Sequence, residues 1–552
     1  MRLEKIILKC AHLPTLLLMV GYPVFWLELY AFNRGTGQTS FLATGIFLIL
    51  SLGYLRRDTQ AESPFLNEPA VKKFEGNTKA KFFLGLSILI SLFIVLIVFY
   101  AALYPPHLMQ EFDAIQYHIT LPRQHLIRGS FQFIPWAADD LFVLPIQFAM
   151  APYWLATTLP NKLPQFICFL GIIFVSINLV NYFRVNKTWN AWIIVFAIVG
   201  SHHIGIQMGT AMLDLVVCYL FLAALDSVLR GNVLMASVEL AFFFWAKSAI
   251  PLQMTLLAII LLPAFFIFKK MGWRIKLGFN QYPDSALKAR YWQTFRKALM
   301  GFFLLSFFVA GPFLAKSTYN SGTPLFPFLP GIVSAKFINK NIDHNSRAWK
   351  SLLGSSQSWT GPEGRNHAGF GKNRTLLNFL KHFWLIAVPE ESVNNRFDYP
   401  VGLMYLIFMA PFIYLIFGDF RKKELGAIPV FIAAYWLMWW IGVQETRHLY
   451  IPTLLIFLVV LPELRNYSSV FFSVVLIALM LNAISIFRAH KKDLGLPVQE
   501  VLREKDLEIL KMNRDYIKEK RRDEVDMDFH DVAFAQFPVR VTKEKLPHTL
   551  AL

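Results

Sequence analysis

From Phe82 to Tyr104 the chain runs through twenty-three residues without one charged side chain. A helix needs about 20 such residues to cross the hydrocarbon of a bilayer. Further apolar runs of similar length follow at 249–268, 298–315, 400–418, 447–462 and 467–487. No single globular core could absorb all of them. A spanning segment must satisfy its own backbone, which leaves helices or a closed barrel. These runs lack the strict alternation of barrel strands, so the sequence predicts helices. Composition agrees: 16% of the 552 residues are charged and 53 are Phe, whereas soluble domains carry about a quarter charged residues.

The formal net charge of +18 does not read as nucleic-acid binding. The bases fall between apolar runs, the pattern of cytoplasmic loops in membrane proteins. Arg56 to Lys81, Arg184 with Lys187, Arg230, Lys269 to Lys297, and Arg421 to Lys423 mark five such loops. Cys10, Cys168 and Cys218 all lie in apolar segments, a pattern of neither disulfides nor zinc ligation. The first apolar run follows Arg2, Lys5 and Lys9. It contains His12 and Pro14 and lacks a clean small-residue cleavage site, so it reads as a retained helix rather than a signal peptide.

The resulting expectation is an all-α polytopic protein of about thirteen spans. They fall near 10–31, 41–55, 82–104, 162–183, 189–206, 211–229, 231–247, 249–268, 298–318, 400–418, 426–443, 447–463 and 467–487. Charge parity puts the N-terminus inside and the C-terminus outside. Residues 1–81 read as a helical hairpin and cytoplasmic loop, and 82–318 as a core with an outer loop at 105–160. Residues 319–399 read as a long outer loop, 400–487 as C-terminal spans and 488–552 as a charged tail. Leu141 to Leu159 is apolar enough to span, but a crossing there would put the Lys269–Lys297 loop outside. It is therefore expected to lie in the interface or re-enter against protein.

The loop at 105–160 is dense in ionisable groups, with Glu111, Asp113, His118, Arg123, His125 and Arg128. Asp113 and Tyr117 stand four apart and would share one face of a helix. Asp113 could equally be the helix N-cap, the commoner role for an isolated Asp. Asp214, Lys247 and Arg447 fall within or beside spans, where an ionisable residue is a functional-site hypothesis by default. Snorkelling to the headgroups is the competing account of Lys247 and Arg447. For Asp214 it is pairing with a polar group on a neighbouring helix.

The order of these motifs resembles the GT-C superfamily of membrane glycosyltransferases, including protein O-mannosyltransferases and lipid A aminoarabinose transferases. The resemblance covers about 82 to 465. It rests on the acidic loop with Glu111, Asp113, Tyr117 and His118, then Met212-Leu-Asp214-Leu, then Trp245-Ala-Lys247-Ser. Tyr319-Asn-Ser-Gly-Thr-Pro324-Leu-Phe-Pro327 and Gln444-Glu445-Thr-Arg447-His448-Leu-Tyr450-Ile-Pro452 follow. Two helices precede the acidic loop here where the family usually has one, and Glu111-Phe-Asp113 replaces an adjacent acidic pair.

The resemblance implies transfer of a sugar from a polyprenyl-phosphate donor to a lipid, protein or glycan acceptor. This would take place at the outer (periplasmic) face of a bacterial inner membrane, with inversion. Asp113 would be the catalytic base. Asp214, Lys247, Arg447, His118, Tyr117, Glu111 and Glu445 would bind substrate or donor phosphate. Some members of the family use a divalent metal. The adjacent His202 and His203 do not form a zinc pattern, and no cofactor is expected. A transporter or flippase of a lipid-linked substrate would use the same charges as a pathway, but the two-fold repeat often seen in such folds is not evident. A polymerase or ligase of surface polysaccharide is a third reading.

Overall fold

The computed structural model describes residues 9–32, 37–56, 78–103, 114–134, 138–154, 162–182, 188–276, 285–329, 332–333, 338–339, 373–387, 400–442, 444–464 and 469–494. Within them the chain is almost wholly helical. It opens with α1 (Leu13–Leu27), extended by a π turn to Phe32, then α2 (Gly37–Arg56) and α3 (Thr78–Ala102). The twenty-five residues of α3 rise about 37 Å. A π turn at Ala114–His118 leads into α4 (Thr120–Arg128), and α5 spans Pro145–Trp154.

The ten residues of α5 rise about 15 Å, half a hydrocarbon core. Residues 143–152 are buried because α5 lies against α1. The contact is tight: a Cβ on Gly21 would stand 1.8 Å from the Ala149 carbonyl oxygen. Tyr153 donates its hydroxyl to the Leu17 carbonyl at 2.8 Å.

The central bundle follows with α6 (Leu163–Tyr182), α7 (Thr188–Val199), the short α8 (His202–Gln207), α9 (Asp214–Arg230) and α10 (Val233–Phe244). One continuous helix was expected over 189–206, and the structure breaks it at Gly200 and Ser201. Tertiary contact makes the break. The His202 amide bonds to the Val401 carbonyl at 3.0 Å. Gly402, at φ +98°, packs so closely that a Cβ there would stand 2.9 Å from the His202 nitrogen. Asn482 Nδ2 bonds to the freed Val199 carbonyl at 2.6 Å.

α11 (Ala249–Lys270) leads to strand β1 (Arg274–Lys276) and then to α12 (Ser285–Ser321). At thirty-seven residues, α12 rises about 55 Å and overruns a bilayer's hydrocarbon. The bases at 288–297, expected in a loop, therefore sit on its first turns. Their Ala, Leu, Lys, Arg and Gln neighbours are good helix formers, with no Pro to stop them.

Within the long segment after α12, α13 (Leu376–Leu385) buries His382 and packs the half-buried Phe379 and Phe383 among Trp436, Trp439 and Trp440. The chain continues through α14 (Leu403–Arg421), β2 (Glu424–Gly426), α15 (Ala427–Ile441), α16 (Tyr450–Val460) and α17 (Ser469–Leu494). β1 and β2 pair in parallel, Arg274 opposite Glu424.

Eight helices among the described residues are long and apolar enough to cross a membrane, namely α1, α3, α6, α11, α12, α14, α16 with its flanking turns, and α17. The chain is an all-α, multi-pass membrane protein. Deep in the bundle, buried polar groups tie α1 to α9 and α10. Glu239 accepts from Thr15 Oγ1 at 2.8 Å and from Ser227 Oγ at 2.7 Å. His12 stands between Glu239 and Asp226.

Candidate functional site

Asp214 opens α9, and Lys247 lies in the four-residue turn between α10 and α11. The antiparallel packing of these helices brings them together: Lys247 Nζ donates to Asp214 Oδ1 at 2.6 Å. Asp214 is buried, and its Oδ2 has no hydrogen-bond partner among the described residues. Lys247 keeps 23% of its side chain exposed.

Arg447 arrives from the single turn before α16. Its Nε and Nη2 both bond to Glu445 Oε2 at 2.8 Å. The His448 ring stands 3.7 Å from the same oxygen. Arg447 and His448 both lie close enough to Asp214 to act on its charge. Lys247, Arg447 and His448 thus converge with Asp214 and Glu445 at one end of the bundle. Each of the two strong bases is already matched by one carboxylate.

The segment after α3 packs over this end. His118 Nδ1 lies 3.4 Å from the Ala211 carbonyl, three residues before Asp214, and its ring is buried. Tyr117 packs edge-on against His118, with centroids 4.4 Å apart. The Val143 amide donates to Ser248 Oγ at 2.9 Å, next to Lys247. His203 stacks on Tyr450 at 4.8 Å, close in sequence to Arg447. Of the residues singled out from sequence, the structure brings together Asp214, Lys247, Arg447 and Glu445, with His118 and Tyr117 beside them. Asp113 and Glu111 lie outside the described residues.

A second charged group at the same end had not been singled out. Asp140 Oδ1 accepts from Lys316 Nζ and from His125 Nε2, both at 2.6 Å. Its Oδ2 accepts the Ile134 amide at 2.9 Å. The Lys316 ammonium also lies 3.9 Å from the centre of the Phe131 ring, a cation–π contact. All three ionisable side chains are buried. Burial pushes the Asp140 carboxyl up, but the nearby Lys316 and His125 outweigh it and hold it below its ordinary range. The signal was available: Lys316 closes a run of eighteen uncharged residues, and the reasoning applied to Lys247 applies to it. His448 was legible only as a neighbour of Arg447.

Among the described residues no group of three or more His, Cys, Asp or Glu could hold a metal ion. The chemistry these residues offer is ion pairing, phosphate binding by Lys and Arg, and proton exchange at a carboxylate. Compared with protein-family models, with curated proteins and with solved structures, the chain has no match.

Proposed function

We propose that this protein is a membrane glycosyltransferase. It would move a sugar from a polyprenyl-phosphate donor to a lipid, protein or glycan acceptor at the outer face of the membrane. One observation carries the reading: partly exposed Lys247 pairs with buried Asp214, and partly exposed Arg447 and His448 stand on Glu445 close enough to act on the Asp214 charge, at one end of the bundle. Isolated snorkelling bases would not need acidic partners gathered at one place. A lipid phosphate entering this cluster would exchange for a carboxylate at Lys247 or Arg447, Arg binding it by two parallel bonds and Lys as a point charge.

In the proposed reaction the acceptor hydroxyl attacks the anomeric carbon and loses its proton to a carboxylate. The bond from that carbon to the phosphate oxygen breaks, and the lipid phosphate leaves with the electron pair. Asp113 is the proposed base. Asp214, released when phosphate takes Lys247, would orient the incoming groups through its unpartnered oxygen. No metal or cofactor enters this scheme. The purified full chain, given a radiolabelled polyprenyl-phosphate sugar and a membrane extract as acceptor source, should transfer label. Asp113→Asn and Lys247→Met should each insert normally and lose transfer. Full transfer by both variants would overturn the assignment. Substrate flux across vesicles without covalent transfer would favour the transporter reading.

A further inference from the structure

The strand pair β1–β2 joins the ends of α11 and α14, and the acids near it face inward. Lys276 is buried, with Nζ 2.6 Å from Glu424 Oε2 and 2.9 Å from Asp419 Oδ1. Burial works against its charge, and the hydrogen bonds to Glu424 and Asp419 outweigh that and raise its pKa. Both carboxylates bond this interior lysine, and the Lys422 charge also acts on Asp419. Lys269, Lys270, Arg274, Arg421, Lys422 and Lys423 all point outward and are exposed. Among the described residues none of the six is paired with an acid. Two helix C-termini meet here, and their dipoles together supply roughly one negative charge. Six bases exceed that several-fold.

The apolar surface beside these bases is of the kind that meets lipid. Phe266 is 61% exposed and Met271 62%, and the Lys270 ammonium lies 5.0 Å from the Phe266 ring centre. Trp273 packs between Phe268 and Phe420, at 4.8 and 5.2 Å. An indole beside bases, at the end of apolar helices, is the composition of a membrane–water boundary.

We infer that the β1–β2 joint is a binding site for anionic phospholipid headgroups, with the six bases around the phosphates and the acyl chains against α11 and α14. Charge selects the headgroup, and the adjoining apolar surface selects a lipid over a free anion. Basic clusters at the end of a span attract anionic lipid in this way. The inference is independent of the proposed transfer reaction.

The test is native mass spectrometry of the detergent-purified full chain with phosphatidylglycerol and phosphatidylcholine mixed in equal amounts. The wild type should retain the anionic lipid with a preference of roughly tenfold or more. Excess inorganic phosphate should not displace it, and raised salt should weaken it. Replacing Lys269, Lys270, Arg274, Arg421 and Lys422 with Gln should bring the preference near unity. Replacing the exposed Arg296 and Lys297 instead should leave it in place. Lack of preference in the wild type, an unchanged preference in the five-fold variant, or full displacement by phosphate would each overturn the inference. If the five-fold variant does not fold, the milder Lys269→Gln/Lys270→Gln and Arg421→Gln/Lys422→Gln proteins should each lower the preference, and an unchanged preference in both would overturn the inference.

Discussion

Asp140 and Lys316 lie 176 positions apart in sequence and meet at 2.6 Å with both side chains buried. The pair ties the segment over the candidate site to the end of α12. Removing one partner of a buried pair leaves an uncompensated charge, which costs about 3–5 kcal/mol. Lys316→Met should therefore lower the melting temperature of the detergent-purified protein sharply. The double variant Lys316→Met/Asp140→Asn should recover part of the loss, because neither charge is then stranded. Equal melting of wild type and Lys316→Met would show that the pair contributes nothing.

The same carboxylate gives a pH dependence of definite sign. Lys316 and His125 hold the Asp140 carboxyl below its ordinary value of 3.8. A group with a lowered folded pKa stabilises the fold fully above its unfolded pKa. That contribution decays as pH falls below 3.8 and is lost as pH passes through the lower folded value. Between pH 5 and 7 melting should show no slope from this residue. Below pH 3.8 the wild type should lose stability that Asp140→Asn does not have to lose. Melting curves of both proteins across that range decide the matter; parallel curves would remove Asp140 as the source.

Much of the architecture can be read from single runs of sequence. Apolar stretches locate the spanning helices because each must be both long and uncharged, two local properties. The discrepancies come from partners distant in sequence. Nothing near Gly200 announces that Val401 will accept the His202 amide or that Gly402 will pack against it. The three-residue pairing of Arg274 with Glu424 is too short to leave a periodic signal. In the site, Lys247 and Arg447 stand out because a charge beside hydrocarbon is costly. Asp214 stands out for the same reason, but which base it would meet at the turn from α10 to α11 has no local signal. Asp140 was hidden because nothing local tells it from Asp139 beside it.

Asp214 and Lys247 invite a charge-exchange experiment. Asp214→Lys/Lys247→Asp keeps an ion pair at the same place but moves the cation into the buried position. Folding should survive, read as an intact size-exclusion profile. Transfer should fall by roughly a hundredfold or more, the loss typical when a group stabilising transition-state charge is misplaced. Transfer near wild-type level would mean that the pair is purely structural.

His12 is held by a carboxylate on each side. Nδ1 lies 2.8 Å from Glu239 Oε1 and Nε2 lies 3.2 Å from Asp226 Oδ2. A neutral imidazole has one donor nitrogen, so where both acids are ionised only the doubly protonated ring satisfies both. Nitrogen chemical shifts of labelled histidine should show both nitrogens protonated in the folded protein. His12→Gln supplies an amide with donors on one atom only and no charge, and should destabilise the fold by about 3–5 kcal/mol. A single protonated nitrogen in the wild type would contradict the geometry.

The crossing of α1 and α5 sets the last prediction, because the atom in the way is backbone. A methyl group on Gly21 would fall 1.8 Å from the Ala149 oxygen and 2.8 Å from Tyr153 Cε2. The tyrosine ring could turn aside; the carbonyl cannot move without displacing α5. That helix carries Phe148, which packs on Phe131 and Phe313 around the buried Asp140–Lys316 pair. Gly21→Ala should therefore melt well below wild type and should also loosen the segment above the candidate site. Protease digestion under native conditions would detect that loosening at 114–143. Gly85→Ala is the matched control: it sits in α3 with nothing within 4 Å of the added Cβ. There Ala is the better helix former by about 1 kcal/mol, so melting should stay level or rise. If Gly21→Ala also stays level, the two helices are not locked at this crossing.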